Sequence, residues 1–262
     1  MLVVIAYFSG DRSQAVKLLD WMSEIGEYGN HDLLFVRDHR CEPIENPARF
    51  NLVNEIVVKH DTFNSWPQSA NLMFEQAARY IEAGSKDHWL WLEPDSVPMK
   101  TGWLDDIEKA WRACGKPFIG DRVEVDGVPV HMSGVAGYPG AMSWHAGTAL
   151  TAKDIAWDVQ AAPQIVPKMH HTKLIEHSWE APGKRRTFES IEQVRREIAP
   201  ETVLFHSSKD GSLIDRLREQ KRGDVKCNTR RENRVLSEGA ATVPPVTAPT
   251  KCRFHNGKLL WK

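Results

Sequence analysis

Four short apolar runs alternate with amphipathic segments in the N-terminal part of the chain, and this order leaves few topologies open. A continuous apolar run such as residues 2–8 is typical of a strand covered on both faces of a parallel sheet. The runs are residues 2–8, 33–36, 56–58 and 88–92, and apolar side chains at helical spacing occupy 13–25, 68–83 and 103–111. A βαβαβ order predicts an α/β fold, with a mostly parallel, Rossmann-like sheet and helices on both faces.

The pattern changes in the second half of the chain. Valines alternate with other residues around Asp126-Gly127, a dipeptide that favours a two-residue β-hairpin turn. Residues 133–147 are rich in glycine and small side chains, and we expect a binding loop there rather than part of the core. Residues 202–206 predict a last strand, followed by a helix from Ser212.

Composition excludes several classes of protein. The 262 residues carry a formal net charge of −1, which argues against a disordered acidic or uniformly basic chain. No apolar run is long enough to span a bilayer, and the N-terminus lacks the basic region of a signal peptide. The four cysteines are scattered without a CxxC pair, so we expect neither a disulfide framework nor a zinc ribbon, and a cytoplasmic location.

Charge is divided unequally along the chain. Residues 1–150 hold 13 Lys and Arg against 21 Asp and Glu, whereas the remaining residues hold 21 against 14. A solvated helix face explains a single basic run, but basic groups recur from Lys184 to Arg234. An anionic partner is therefore as good an explanation as solvation.

Two carboxylates, Glu93 and Asp95, follow the apolar strand 88–92 at the point where it opens into a loop. Ligands bind at the carboxyl ends of strands in doubly wound sheets, and hard divalent cations prefer oxygen donors. The pair therefore suits a cation that neutralises the phosphates of a nucleoside diphosphate. In the alternative, structural interpretation, Asp95 caps the next turn and Glu93 is only solvated.

The segment 89–98, Trp-Leu-Trp-Leu-Glu-Pro-Asp-Ser-Val-Pro, resembles the acidic motif of GT-A-fold nucleotide-sugar glycosyltransferases. The resemblance implies transfer of a sugar from a nucleotide sugar, with UDP as the expected nucleotide and Mn²⁺ or Mg²⁺ as the cofactor. Glu93 stands where that motif usually has aspartate, so Asp95 is the expected direct metal ligand. The resemblance further implies a histidine ligand near the C-terminus, which His206 matches, and a pyrophosphate contact from Lys209.

Nucleotide contacts implied by the resemblance lie at the ends of the first two strands and before the second helix. Each candidate also has an ordinary structural explanation, as a core, turn or surface residue. The candidates are Tyr7, Phe8, Ser9, Asp38, Trp66 and Asn71.

The acceptor side is less defined. Trp144 and His145 offer an aromatic face and a hydrogen-bonding group for a sugar or ring-shaped acceptor. An inverting transfer needs a carboxylate that takes the proton of the acceptor hydroxyl, and Asp158 and Glu180 are the candidates. A retaining enzyme would not need this base.

The segment 206–217 also resembles phage-encoded glycosyltransferases that modify hydroxymethylated pyrimidines, such as 5-hydroxymethylcytosine, in DNA. Arg185 and Arg186 would then contact the phosphates, and the tryptophans of the basic half, Trp144, Trp157 and Trp179, would contact an unstacked base. For a phage-encoded protein the compartment is the host cytoplasm.

Alternative functions are a glycan or protein glycosyltransferase, a nucleotidyltransferase, and a non-catalytic nucleic-acid-binding α/β domain. Nucleotidyltransferases would show a glycine-rich basic loop after the first strand, of which Ser9 to Arg12 is a poor version. We expect one catalytic domain over 1–222, with a nucleotide-binding half (1–100) and an acceptor half (101–222). Residues 223–262 then form a basic segment, a Pro/Ala/Thr linker and a tail.

Overall fold

A computed structural model describes residues 1–59, 66–84, 87–143, 154–178 and 186–223. Residues 1–218 form one compact unit and residues 219–262 a second, of which only 219–223 are described. The predicted domain boundary at residue 222 stays a prediction. Among the described helices, none combines the length and apolarity that crossing a bilayer requires.

A seven-stranded sheet in the order β3-β2-β1-β4-β7-β6-β8 forms the centre of the first unit. Strands β1 to β4 pair in parallel, whereas β7 is antiparallel to both β4 and β6. This mixed, mostly parallel sheet confirms the predicted α/β class. The strands are β1 (Leu2–Tyr7), β2 (Asp32–Asp38), β3 (Val53–Val58), β4 (His88–Leu92), β5 (Ser96–Pro98), β6 (Phe118–Val123), β7 (His131–Pro139), β8 (Met169–His171), β9 (Ile175–His177) and β10 (Leu204–His206).

Helices cover both faces of the sheet, as the complete burial of β1 requires. Val3 and Ile5 belong to a core cluster with the first and third helices, whereas Leu2 and Val4 belong to a cluster with the second. The helices are α1 (Arg12–Ile25), α2 (Gln68–Ala83), α3 (Trp103–Cys114), α4 (Trp157–Gln160), α5 (Ala162–Ile165), α6 (Ile191–Glu197) and α7 (212–223), with a 3₁₀ turn at Val166–Lys168.

The expectation of a binding loop from residue 133 is wrong for 133–139, which belong to the fully buried strand β7. Small residues are needed here because neighbouring side chains occupy their space. A Cβ on Gly137 would lie 2.5 Å from the Trp111 ring. The predicted hairpin between β6 and β7 is present, but its connection covers 124–130 rather than two residues, with Gly127 at φ +80°.

A small second sheet, in the order β5-β10-β9, carries the end of β10 to the acidic loop after β4. His206, the last residue of β10, pairs with Ser96 on β5 and with His177 on β9. The amide of Ser208 donates to the carbonyl of Asp95 at 3.1 Å, so the loop after β10 is tied to the loop after β4.

Candidate metal centre

Glu93, Asp95 and His206 meet at the carboxyl end of β4. The Nε2 atom of His206 lies 3.3 Å from Oε2 of Glu93 and 3.4 Å from Oδ1 of Asp95. One ligand atom from each of the three residues lies within 4.8 Å of the other two, a spacing that one metal ion can bridge. The structure therefore brings together the three residues predicted as ligands.

A tight turn after β4 presents both carboxylates to the same side. The amide of Ser96 donates to the Glu93 carbonyl at 2.9 Å, and the amide of Glu93 donates to Oγ of Ser96 at 3.2 Å. The chain then enters β5 at Ser96, which places Asp95 beside His206.

The imidazolium of His206 offsets part of the negative charge of the two carboxylates in this centre. Burial alone would lower the pKa of His206, but the adjacent Asp95 and Glu93 raise it to about 10. Burial alone would raise the pKa of Asp95, but His206 and, more weakly, Lys209 hold it below its usual value. A cation bound here would replace the Nε2 proton of His206 and offset the charge of the two carboxylates in its place.

An unpaired buried oxygen shows that the donor set fits a cation. Asp95 is 6% exposed, and its Oδ2 atom has no hydrogen-bond partner among the described residues. The buried Oγ of Ser208 is likewise without a partner among them. Unsatisfied buried carboxylate oxygens are costly, and two carboxylates with one imidazole match the donors that Mn²⁺ takes.

His206 is held from several directions. Its ring stacks on that of His177, with centroids 4.6 Å apart, and its Nδ1 lies 3.3 Å from Oγ of Ser133. Burial and, next, the neighbouring His206 lower the pKa of His177 to about 3, so this ring is neutral. The Oδ2 atom of Asp121 accepts a hydrogen bond from the His177 amide at 2.8 Å.

Asp158, the predicted base, lies on α4 next to the same centre. A Cβ built on Gly134 would lie 3.1 Å from Oε1 of Glu93 and 3.6 Å from Oδ2 of Asp158, so both carboxylates border one glycine. Burial raises the pKa of Asp158, His131 opposes this rise, and Glu93 adds to it. The geometry gives Asp158 a place beside the metal centre and a tendency to take up a proton.

The buried Asn71 fixes the segment that carries Asp158. Its Nδ2 donates to the Ile155 carbonyl at 2.8 Å, and its Oδ1 accepts from the Trp157 amide at 2.9 Å. Both ends of the amide are thus engaged with the protein. The predicted nucleotide contact at Asn71 stays a prediction.

The other predicted nucleotide contacts have different surroundings. Tyr7 is fully buried, edge-on to Phe35, whereas Phe8 is 45% exposed at the end of β1 and Ser9 is exposed beside it. Asp38 is buried, and Arg40 donates to both of its carboxylate oxygens. The two exposed candidates elsewhere are Trp66, which is 76% exposed, and Lys209.

Most predicted acceptor contacts, Trp144, His145, Glu180, Arg185 and also Trp179, lie outside the described residues. Arg186 is described: it donates to Oγ of Ser178, lies 3.4 Å from Glu197 and covers the Phe188 ring. The expectation that Trp157 contacts a base is wrong, because its buried ring stacks on Phe74 with centroids 3.5 Å apart.

Sequence reasoning missed Asp11, Ser133, Gly134 and His177. Burial raises the pKa of Asp11 to about 7, and the charges of Glu93 and Asp95 add to the rise. Asp11 therefore interacts electrostatically with the metal centre. Its place just after β1 was a usable signal, since ligand sites gather at strand ends. Ser133 and Gly134 lie in the segment that the sequence predicts as a binding loop, but its composition does not single out either residue as part of the site.

Comparison with known proteins gives structural likenesses only. No family model and no curated protein matches the sequence. The galactosyltransferase LgtC, solved with donor and acceptor sugar analogs, aligns over 79% of this chain and 86% of its own at 8% identity and a TM-score of 0.46. A structure of an LgtC active-site mutant gives 8% identity, the same coverage and a TM-score of 0.47. The glycosyltransferase GlyE of Streptococcus pneumoniae TIGR4 aligns over 65% of this chain and 44% of its own at 10% identity, with a TM-score of 0.41. All three scores are below 0.5, so the functional argument rests on the site itself.

Proposed function

We propose that this protein is a metal-dependent glycosyltransferase that moves a sugar from a nucleotide diphosphate sugar to an acceptor hydroxyl. The observation that carries the proposal is the meeting of Glu93, Asp95 and His206, with one buried oxygen of Asp95 left unpaired among the described residues. The centre lies at the carboxyl end of the central strands, where doubly wound sheets bind nucleotides.

Glu93, Asp95 and His206 would hold the cation, which is Mn²⁺ or Mg²⁺. When bound, such an ion neutralises charge on the diphosphate leaving group. Lys209 is exposed beside the centre and lowers the pKa of Asp95 by its charge, so its ammonium can also reach a phosphate. Among the predicted nucleotide contacts, Phe8 and Trp66 are the exposed aromatic side chains, and we propose that they contact the base, with UDP as the proposed nucleotide.

Asp158 is the proposed base of an inverting transfer. It would accept the proton of the acceptor hydroxyl while that oxygen attacks the anomeric carbon and the diphosphate departs. Burial raises the pKa of Asp158, which makes its ionised carboxylate a stronger base. Glu180 remains a second candidate for this role.

For the acceptor we propose a hydroxymethylated pyrimidine in DNA, supported by the basic composition of the C-terminal part. Four of the basic side chains described there are already ion-paired: Arg186 and Arg196 with Glu197, Arg218 with Glu24, and Lys173 with Glu201. The DNA contact therefore depends more on the other basic groups, Arg185 among them. A glycan or protein acceptor is the alternative outcome of the test, and the cytoplasm is the proposed location.

The test is incubation with a panel of nucleotide sugars, Mn²⁺ and hydroxymethylated DNA, read by mass spectrometry of the nucleosides. An increase in nucleoside mass by one hexose, abolished by EDTA, supports the proposal. Transfer to glycans or peptides in parallel reactions would show that the acceptor is a glycan or a protein instead of DNA. Transfer of a nucleotide instead of a sugar would identify a nucleotidyltransferase. Metal-independent DNA binding without any transfer would identify a binding domain.

A further inference from the structure

We infer that Ser133 and Gly134, neighbours on β7, are positioning residues that set the two outer ligands of the metal centre. Ser133 would fix the His206 ring, and Gly134 would leave the space in which the Glu93 carboxylate lies. This inference rests on the metal centre of the proposed function.

A bulge in β7 brings both residues to the centre. On β6, Gly120 pairs with Ala136 and Arg122 pairs with Met132, so residues 133–135 lie opposite Asp121 alone. Neighbouring residues of a regular strand point to opposite faces, and a bulge changes this alternation locally. Ser133 and Gly134 can therefore both border the same centre. Ser133 contacts it through its hydroxyl, and Gly134 leaves space for it because it has no side chain.

Ser133 determines which nitrogen of His206 is free to bind a cation. Ser133 is fully buried, and its Oγ lies 3.3 Å from Nδ1, whereas Nε2 faces Glu93 and Asp95. A ligating imidazole needs a lone pair on the nitrogen that faces the metal, so its one proton must sit on the other nitrogen. With that proton on Nδ1, the ring donates to the Ser133 hydroxyl and presents Nε2 to the carboxylates.

Gly134 makes room for Glu93. A Cβ at this position would lie 3.1 Å from Oε1 of Glu93, which is closer than an unstrained contact. Gly134 is not among the glycines with positive φ, so alanine fits the backbone there. The flexible end of the Glu93 side chain would yield instead, and the carboxylate would move away from its place beside Nε2.

The experiment measures the Kd for Mn²⁺ alone by isothermal titration calorimetry on the full chain. Ser133→Ala should raise this Kd by about 10-fold to 100-fold, the usual effect of losing an outer-shell partner of a metal ligand. Gly134→Ala should raise it by a smaller factor, because the added Cβ displaces the Glu93 carboxylate without removing a hydrogen bond. The matched control is Ser190→Ala, which removes the cap hydrogen bond to the Gln193 amide at the start of α6, outside the metal cluster, and should leave the Kd within about twofold. Thermal melting of each variant reports whether it is folded.

A second readout follows the imidazole directly. In the Mg²⁺-loaded wild type, ¹⁵N NMR should show His206 protonated on Nδ1, and Ser133→Ala should shift this resonance and speed its exchange with water. A wild-type Kd in folded Ser133→Ala and Gly134→Ala overturns the inference while leaving the metal centre in place. If the wild type itself binds no Mn²⁺, the proposed metal centre fails and this inference with it.

Discussion

Oδ1 of Asp95 lies 3.4 Å from Nε2 of His206, although Asp95 belongs to the loop after β4 and His206 ends β10, just before a loop much later in the chain. The approach is held by backbone pairing of β5 with β10 and by the Ser208 amide, which donates to the Asp95 carbonyl. It is therefore a product of the fold rather than of side-chain flexibility. A change to either side chain should alter metal binding while the two loops keep their places.

Asp95→Asn should abolish metal binding and sugar transfer. Without metal, the unpaired Oδ2 contributes nothing, but the buried charge pair between Oδ1 and His206 is lost, so we expect the free energy of unfolding to fall by about 1–3 kcal/mol. At Mn²⁺ about one hundredfold above Kd, the wild type gains about 2.7 kcal/mol and the variant gains nothing. Denaturant unfolding with and without Mn²⁺ checks both values. A large metal-independent fall in stability would instead favour the structural interpretation of Asp95.

His206→Ala should raise the Mn²⁺ concentration needed for half-maximal transfer by more than about 100-fold, because loss of one ligand of three costs more than loss of an outer-shell partner. The readout is the initial rate of transfer as a function of Mn²⁺. His171→Ala is the control, since His171 pairs with Asp121 at 3.1 Å and is not in the metal cluster. An unchanged Mn²⁺ dependence in His206→Ala would remove His206 from the site.

Asp158→Asn should lower kcat by about 10²-fold to 10⁴-fold, the usual contribution of a general base. Binding of the nucleotide sugar should remain near the wild-type Kd, because the proposed role of Asp158 concerns the acceptor. Asp154→Asn, a change at an exposed aspartate earlier in the same segment, should have no effect on either quantity. Full activity in Asp158→Asn would point to a retaining mechanism or to Glu180 as the base.

Asn71→Ala should destabilise the protein by about 1–3 kcal/mol, because it leaves the Ile155 carbonyl and the Trp157 amide without this partner. It should also lower kcat, since the same segment carries Asp158. Asn71→Asp keeps the acceptor for the Trp157 amide but places a buried carboxylate oxygen against the Ile155 carbonyl, so it should destabilise the protein at least as much as the alanine variant. If Asn71→Ala instead loses binding of the nucleotide sugar while its free energy of unfolding stays at the wild-type value, Asn71 is a nucleotide contact.

Reversing Arg185 and Arg186 to glutamate should weaken binding of hydroxymethylated DNA and reduce the dependence of log K on log salt by about 0.9 for each phosphate that the variant no longer neutralises. Fluorescence anisotropy at several salt concentrations measures this slope. Lys173→Glu changes an exposed lysine paired with Glu201 and serves as the control for net charge. A salt slope equal to that of the wild type counts against DNA as the acceptor.

Strand ends made part of this site predictable. Apolar runs identified β1 and β4, and the rule that ligands gather at the carboxyl ends of parallel strands singled out Glu93 and Asp95 before any coordinates. His206 could be predicted only from the family resemblance. The pairing of β5 with β10 brings it beside Ser96 and the acidic loop, and this pairing has no local sequence signal.

The supporting residues were out of reach for physical reasons. The composition of β7, rich in glycine, is that of a loop, yet small residues are required there by close neighbours such as Trp111. The sequence does not distinguish a buried tryptophan from an exposed one that stacks on a ligand, and only the packing of Trp157 on Phe74 assigns it to the core. In each case the deciding contact is tertiary and comes from a distant part of the chain.

The most direct measurement is anomalous scattering from crystals of the full chain soaked in Mn²⁺. The account predicts one strong anomalous peak bounded by Glu93, Asp95 and His206, absent from crystals of Asp95→Asn. A wild-type map without a peak at these three side chains, at Mn²⁺ concentrations that support transfer, would contradict it.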